Sequence, residues 1–188
     1  VSMTGIGSAA VLQMDMKEAA NIVTKENSRI SKLIGIKTSA RCTTVKPAGT
    51  TSLVLGTSSG IHAWHNDYYV RRMRVGKNEA IYKYLSKSHP ELIEDEYFRP
   101  HDTAVISVPQ RAPVESILRT ESPFDTLARV KRVAQEWIKP GHKRGSNTHN
   151  VSATISLKKD EWDAAGNWMW DNRDYYNGLS VLPYDGGT

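Results

Sequence analysis

The chain passes from strand to helix within one segment, Thr43-Thr44-Val45-Lys46-Pro47-Ala48-Gly49-Thr50-Thr51-Ser52. The β-branched residues between Cys42 and Lys46 are typical of a strand. Gly49 permits a tight turn, and the hydroxyl residues that follow are typical of a helix start. Because the first amides of a helix have no internal acceptor and the helix dipole is positive there, this end stabilises an anion.

This segment therefore predicts a phosphate-binding loop made of Pro47, Ala48, Gly49, Thr50, Thr51 and Ser52. The hydroxyls of its last three residues can donate to phosphate oxygens. The same residues also fit an ordinary capped helix, in which Thr50 or Thr51 satisfies backbone donors. The segment is not a Walker A loop, because the Gly-Lys-Ser/Thr ending is missing.

Strand and helix patterns alternate on both sides of this loop. Apolar residues at helical spacing predict helices over 15–34, 78–86, 123–138 and 160–171. Asp15 is the expected N-cap of the first helix, and Gly35 its end. Strands are predicted over 42–46, 68–75, 103–108 (closed by Pro109 and Pro113), 151–157 and 178–182. This alternation favours an α/β architecture with parallel pairing, while the close spacing around Tyr68 to Val108 permits an antiparallel excursion.

Composition excludes several classes of protein. The 188 residues are 39% hydrophobic and include a single cysteine, so the chain can form a core but neither a disulfide scaffold nor a thiolate zinc cluster. No apolar run approaches the roughly 20 residues of a membrane span. We expect a cytoplasmic protein without membrane association. The net charge of +5 suits anionic partners. The sequence contains no block of five like charges, so nucleic acid is not favoured.

The other chemistry-bearing residues have ordinary structural interpretations. Cys42 lies in a predicted strand, where a free cysteine is usually a small buried apolar residue and less often a catalytic thiol. His62 and His65 could ligate a metal, but no third ligand is evident, and packing within their loop is favoured. The sequence shows no acid/base pair at hydrolase spacing. We therefore predict neither a catalytic residue nor a metal site.

Five blocks resemble the catalytic subunit of ribonucleotide reductases. In chain order they are Ser2-Met3-Thr4-Gly5, Thr44 to Ser52 with Gly60-Ile61-His62, Tyr69-Val70-Arg71-Arg72-Met73-Arg74, Asn150 to Ile155, and Leu179-Ser180-Val181-Leu182-Pro183-Tyr184-Asp185-Gly186-Gly187. The blocks span the chain and are most similar to the adenosylcobalamin-dependent (class II) enzymes, in particular the ribonucleoside-triphosphate reductases.

The resemblance implies an α/β fold that is the second half of a ten-stranded barrel. Residues 1–188 would be one segment of this catalytic domain, truncated at both ends, with Tyr68 to Val108 as a hairpin-like excursion. It also implies that Pro47 to Ser52 hold the phosphates of a ribonucleotide substrate. The implied partners are that substrate and the remaining part of the reductase chain, and the cofactor of the whole enzyme is adenosylcobalamin.

The family reaction uses a cysteine thiyl radical and a second pair of cysteines, and none of these has a match here. Cys42 does not correspond to a catalytic thiol. We therefore expect the isolated chain to be inactive and its own binding of adenosylcobalamin to be doubtful. Two alternatives stay open. One is a class I relative that needs an iron-bearing partner subunit, and the other is a non-enzymatic basic α/β module that binds nucleotide or nucleic acid.

Overall fold

A computed structural model describes residues 1–185, without the side chains of Thr50 and Leu53. Gly186 and Gly187, which end the last block of resemblance, lie outside the described residues. The strands are β1 (Ser2–Met3), β2 (Thr44–Val45), β3 (Tyr68–Gly76), β4 (Ile93–Asp95), β5 (Thr103–Arg111), β6 (Thr154–Leu157) and β7 (Ser180–Pro183). The α-helices are α1 (Met16–Leu33), α2 (Gly49–Val54), α3 (Ala80–Ser88), α4 (Pro123–Val133) and α5 (Trp162–Asp171).

The chain divides into two compact units. Unit 1 consists of Val1–His65 and the chain from Pro113 onward, and unit 2 is Asn66–Ala112. In the described part of the chain, no helix is both long and apolar enough to cross a membrane.

Parallel strand pairs form the frame of unit 1. β1 pairs with β2 in the register Met3 to Val45, and β6 pairs with β7. Val45 also bridges Val151 in parallel, so the chain that leads into β6 runs alongside β2. The predicted α/β class with parallel pairing is therefore confirmed.

Two helices cover this frame, and their ends follow from local signals. The Asp15 carboxylate accepts a 2.9 Å hydrogen bond from the Glu18 amide at the start of α1, and Gly35 follows its end at φ +73°. Ser122 and Asp125 form a capping box at the start of α4, which continues as a π-helix over Ala134–Ile138. The core of unit 1 joins these helices to the strands through buried residues that include Leu127, Val130, Val133, Trp137, Ile138, Val45, Val151 and Ile155.

Unit 2 is an antiparallel sheet with one helix. β5 is the central strand and pairs with β3 over nine residues and with β4 over three. A small buried cluster of Val75, Ala104 and Ile106 packs against Tyr82 and Leu85 of α3. The antiparallel pairing expected between Tyr68 and Val108 is confirmed.

The expected end of β5 at Pro109 is wrong, because the strand continues to Arg111. Pro109 pairs with Val70 of β3, whereas β4 reaches only as far as Ile106. Pro109 therefore lies where β5 is an edge on the β4 side, and proline is tolerated on edges because no ladder donor is needed there.

Candidate phosphate-binding loop

The predicted loop forms the link between β2 and α2. The amide of Ser52 donates 2.8 Å to the carbonyl of Ala48, which closes the first turn of α2. By helix geometry, the amides that precede Ser52 in this turn have no intrahelical acceptor. Lys46, Pro47 and Gly49 are exposed, so this end of the helix faces solvent.

Gly60 packs against the residues that begin the loop. It has φ +58°, and a Cβ added there would lie 3.0 Å from the Cα of Pro47 and 3.3 Å from the carbonyl oxygen of Lys46. A side chain at this position would require the Lys46–Pro47 backbone to shift by a few tenths of an ångström, whereas glycine fits without a shift. The backbone around Gly60 therefore packs directly against the Lys46–Pro47 peptide.

Thr4 links the Gly60 turn to α2. Its hydroxyl accepts a 2.9 Å hydrogen bond from the Gly60 amide and lies 2.9 Å from the hydroxyl of Ser52. Ser52 is fully buried, so this contact lies inside unit 1. Thr4 thus couples β1, the Gly60 turn and α2 through one oxygen atom.

The six predicted residues occupy different environments. Pro47, Gly49 and Thr51 are exposed, and Ala48 is half-buried. Thr50 lies in the first turn of α2, and its side chain is among those not described. The Ser52 hydroxyl points inward to Thr4, so its direct contact with phosphate stays a prediction that this orientation does not favour.

A buried ion pair fixes the chain that follows Gly60. Arg129 donates to both carboxylate oxygens of Glu121, at 2.7 and 2.6 Å, and its Nε donates 3.3 Å to the carbonyl of Ile61. The side chains of Arg129 and Glu121 are only 7% and 13% exposed. Such bidentate pairs hold their neighbours in one geometry, so α4 positions the Gly60 turn.

The two histidines of the neighbouring loop have separate protein partners. The Nδ1 of His62 donates to the Ser59 carbonyl at 3.1 Å, and its Nε2 accepts from the Thr154 amide at 3.1 Å. His65 Nδ1 accepts from Arg119 at 3.0 Å. His62 therefore links the loop to β6. Among the described residues, no group of three or more His, Cys, Asp or Glu side chains is arranged to hold a metal.

Cys42 is buried, at 6% exposure, and its sulfur lies 4.0 Å from the Ser39 carbonyl. This is the buried apolar role expected from the sequence.

The supporting residues were not predicted as site residues. Thr4 and Gly60 occur in the blocks of resemblance, which was the available signal. Arg129 lay in a predicted helix, where a single charged residue gives no sign of burial. Its partner, Glu121, is eight residues away and precedes α4.

Comparison with known proteins places these features in a family context. No family model matches the chain. An adenosylcobalamin-dependent ribonucleoside-triphosphate reductase of Euglena gracilis is 32% identical over 171 residues, which are 89% of this chain and 22% of the relative. The enzyme of the same name from Lactobacillus delbrueckii subsp. bulgaricus is 26% identical over 167 residues, which are 88% of this chain and 22% of the relative.

A crystal structure of a B12-dependent (class II) ribonucleotide reductase superimposes with a TM-score of 0.71 at 24% identity, covering 92% of this chain and 23% of that one. The fold is therefore shared with a portion of that enzyme. The chain spans about a fifth of the length of the curated relatives it matches. Over nearly its full length, the chain is similar in sequence and fold to one segment of adenosylcobalamin-dependent (class II) ribonucleotide reductases.

Proposed function

We propose that this chain supplies the substrate-phosphate loop of a ribonucleotide reductase, as part of the second half of its ten-stranded barrel. The observation that carries the proposal is the exposed N-terminal end of α2 in Pro47–Ser52, held by Gly60 and Thr4. The related reductases are named for ribonucleoside triphosphates, so the proposed substrate is a ribonucleotide. The proposed setting is the cytoplasm, where the product would supply DNA replication.

In this proposal the backbone does most of the binding. The amides of Gly49, Thr50 and Thr51 donate to phosphate oxygens, and the exposed side chains of Thr51 and Lys46 add a hydroxyl and a positive charge. Ser52 contributes by anchoring α2 to Thr4, which holds the amides of the first turn in a fixed orientation toward the proposed phosphate. Preorganised donors of this kind bind phosphate without a further loss of conformational entropy from ordering the loop.

The radical chemistry does not reside in this chain. Adenosylcobalamin is the cofactor in the names of the relatives. When bound to the whole enzyme, it would supply the radical that the resemblance assigns to a cysteine. Cys42 is the only cysteine, and its buried sulfur, close to a backbone carbonyl, does not fit a thiol that faces a cofactor. We therefore assign substrate binding to this chain and the reacting cysteines to the remaining part of the reductase, its proposed partner.

The test is a titration of the ¹⁵N-labelled chain with a ribonucleoside triphosphate. We expect amide shifts concentrated between Lys46 and Ser52. Gly49→Asp should weaken binding about tenfold or more, because it places a negative charge at the helix end where the phosphate would lie. A Cβ at Gly49 meets nothing within 4 Å, so the fold should be unaffected.

Gly166→Asp is the matched control. Gly166 is exposed in α5, a Cβ there also meets nothing within 4 Å, and the charge change is the same. Nucleotide-induced shifts elsewhere with none in the loop would contradict the proposal. Deoxynucleotide formation by the chain alone, with adenosylcobalamin and a dithiol, would contradict the assignment of the radical chemistry. Salt-dependent binding to DNA, with no preference for nucleotides, would instead support a basic binding module.

A further inference from the structure

Positive charge is segregated within the sequence. Residues 27–66 and 137–159 contain ten lysines and arginines and no aspartate or glutamate, whereas the other 125 residues carry a net charge of −5. The modest total of +5 therefore conceals two acid-free segments. Their combined charge of +10 is concentrated in 63 residues.

The fold of unit 1 brings the two segments together. The amide of Lys143 donates 2.9 Å to the carbonyl of Ala40, and the Arg144 guanidinium donates to the carbonyl of Thr38. The guanidinium of Arg41 donates to the carbonyl of Asn147 in the opposite direction. The segment after α1 and the loop after Pro140 are thus tied to each other by hydrogen bonds to backbone carbonyls, which carry no net charge.

In the described part of the chain, carboxylates do not pair with the cations of these two segments at 37, 143 and 144. Within residues 1–185, none of the ion pairs includes Lys37, Lys143 or Arg144. All three side chains belong to exposed residues. Their mutual repulsion is relieved when a partner brings negative charge.

Exposed apolar residues precede the Thr38 contact of Arg144 along the chain. Leu33, Ile34 and Ile36 are 73%, 58% and 61% exposed at the end of α1, two residues or more before Thr38, which Arg144 contacts. We define the 33–37/143–144 surface by Leu33, Ile34, Ile36, Lys37, Lys143 and Arg144. A cluster of exposed apolar residues within a charged rim is typical of a protein interface.

This surface is distinct from the phosphate-binding loop. It adjoins the N-terminal side of β2, whereas Pro47–Ser52 follow the C-terminal end of that strand. Val45 lies four residues after Arg41, which corresponds to roughly 13 Å for an extended chain. A ligand bound at the loop therefore does not account for the positive charge here.

We propose that the 33–37/143–144 surface docks an acidic, amphipathic protein segment, whose carboxylates meet the three cations and whose apolar side chains cover Leu33, Ile34 and Ile36. The charge of the surface requires an anionic partner. Its apolar residues favour polypeptide over nucleic acid, because a sugar–phosphate backbone leaves them exposed to water.

The test measures binding of the full chain to four probes: a glutamate–tyrosine copolymer, polyglutamate of equal length, a 20-nucleotide oligodeoxythymidine and phosphatidylglycerol vesicles. We expect the copolymer to bind most tightly, with amide shifts at Ile36, Lys37 and Lys143. The double variant Lys37→Glu/Lys143→Glu should weaken this binding about tenfold or more, and Leu33→Ser/Ile36→Ser should weaken it about as much.

The control is Lys83→Glu/Lys87→Glu, which makes the same charge change at two exposed lysines of α3. It should alter copolymer binding less than about twofold. Equal or tighter binding of polyglutamate, the oligonucleotide or the vesicles would overturn the proposal. So would the absence of copolymer binding, or binding that the two surface variants leave unchanged.

Discussion

At Gly60 the backbone has φ +58°, and the Cα of Pro47 lies only 3.0 Å from the position that a Cβ would occupy. Two separate penalties therefore act on any substitution at this position. One is the left-handed conformation, which costs a residue with a Cβ about 1 kcal/mol. The other is the close contact with the Pro47 backbone, which would have to shift by a few tenths of an ångström to admit a Cβ.

We predict that Gly60→Ala destabilises unit 1 by about 2 kcal/mol and shifts the amide signals of Lys46 to Ser52. Gly35→Ala is the control, because Gly35 has φ +73° but a Cβ there meets nothing within 4 Å. It should carry the conformational penalty alone and leave the loop signals in place. Urea unfolding and amide spectra of both variants make the measurement. Equal losses of stability with an unmoved loop would show that the Pro47 contact has no consequence.

The elements that the sequence predicts well are those with local signals at both ends. Asp15 and Gly35 bound α1, as expected from residue types alone, and α4 begins at the predicted residue 123 behind the Ser122 capping box. Short elements depend on tertiary pairing instead. β4 has only three residues and forms by pairing with β5. No local sequence pattern predicts it.

The turn between β4 and β5 is organised around one carboxylate. Glu96 accepts 2.8 Å hydrogen bonds from the amides of Phe98 and Arg99 and pairs with Arg74 at 3.3 Å. Desolvation by itself raises the pKa of this carboxyl, but the two amides and the guanidinium outweigh it, and the pKa falls below its ordinary value of 4.5. A carboxyl with a lowered pKa in the folded state stabilises the fold above its unfolded pKa.

We predict that unit 2 loses stability as the pH falls below 4.5 and through the lower pKa of folded Glu96. Glu96→Gln should lower the stability of unit 2 near neutral pH and make it less sensitive to acid. Urea midpoints of unit 2 signals at about pH 6 and about pH 3 measure both effects. The exposed Glu91→Gln, in the segment before β4, is the control and should keep the acid sensitivity of the unchanged chain. An unaltered acid response in Glu96→Gln would exclude Glu96 as its source.

For the molecule as a whole, residue types predict the strand–turn–helix segment of the loop but not the distant contacts that support it. The strand–turn–helix pattern of Thr43 to Ser52 is local, so its residue types predict it directly. The direction of the Ser52 hydroxyl depends on Thr4, which lies 48 residues away. Burial of Arg129 depends on Glu121 and on the carbonyl of Ile61, 68 residues away. Contacts between such distant residues leave no periodic signature in one sequence.

The division into two units also has a physical basis in the described residues. The core of unit 1 and the small cluster of unit 2 contain different buried residues. The ends of unit 2 meet each other, because the amide of Ala112 donates 2.9 Å to the carbonyl of Asp67, next to the Tyr68–Arg111 pair. In unit 1, Trp64 bonds to Ile117 and Arg119 just outside these ends.

We therefore predict that replacing residues 66–112 with Gly-Ser-Gly leaves unit 1 folded. Strand partners lie about 5 Å apart, a gap that three residues span easily. The amide spectrum of the shortened chain should overlay that of unit 1 in the full chain, and the Lys46–Ser52 signals should still respond to a ribonucleoside triphosphate. Deleting Pro123–Ile138 is the opposite control, because it removes the buried residues Leu127, Val130 and Trp137 and should abolish the folded spectrum. Loss of dispersed signals in the chain without residues 66–112 would mean that unit 1 requires unit 2 to fold.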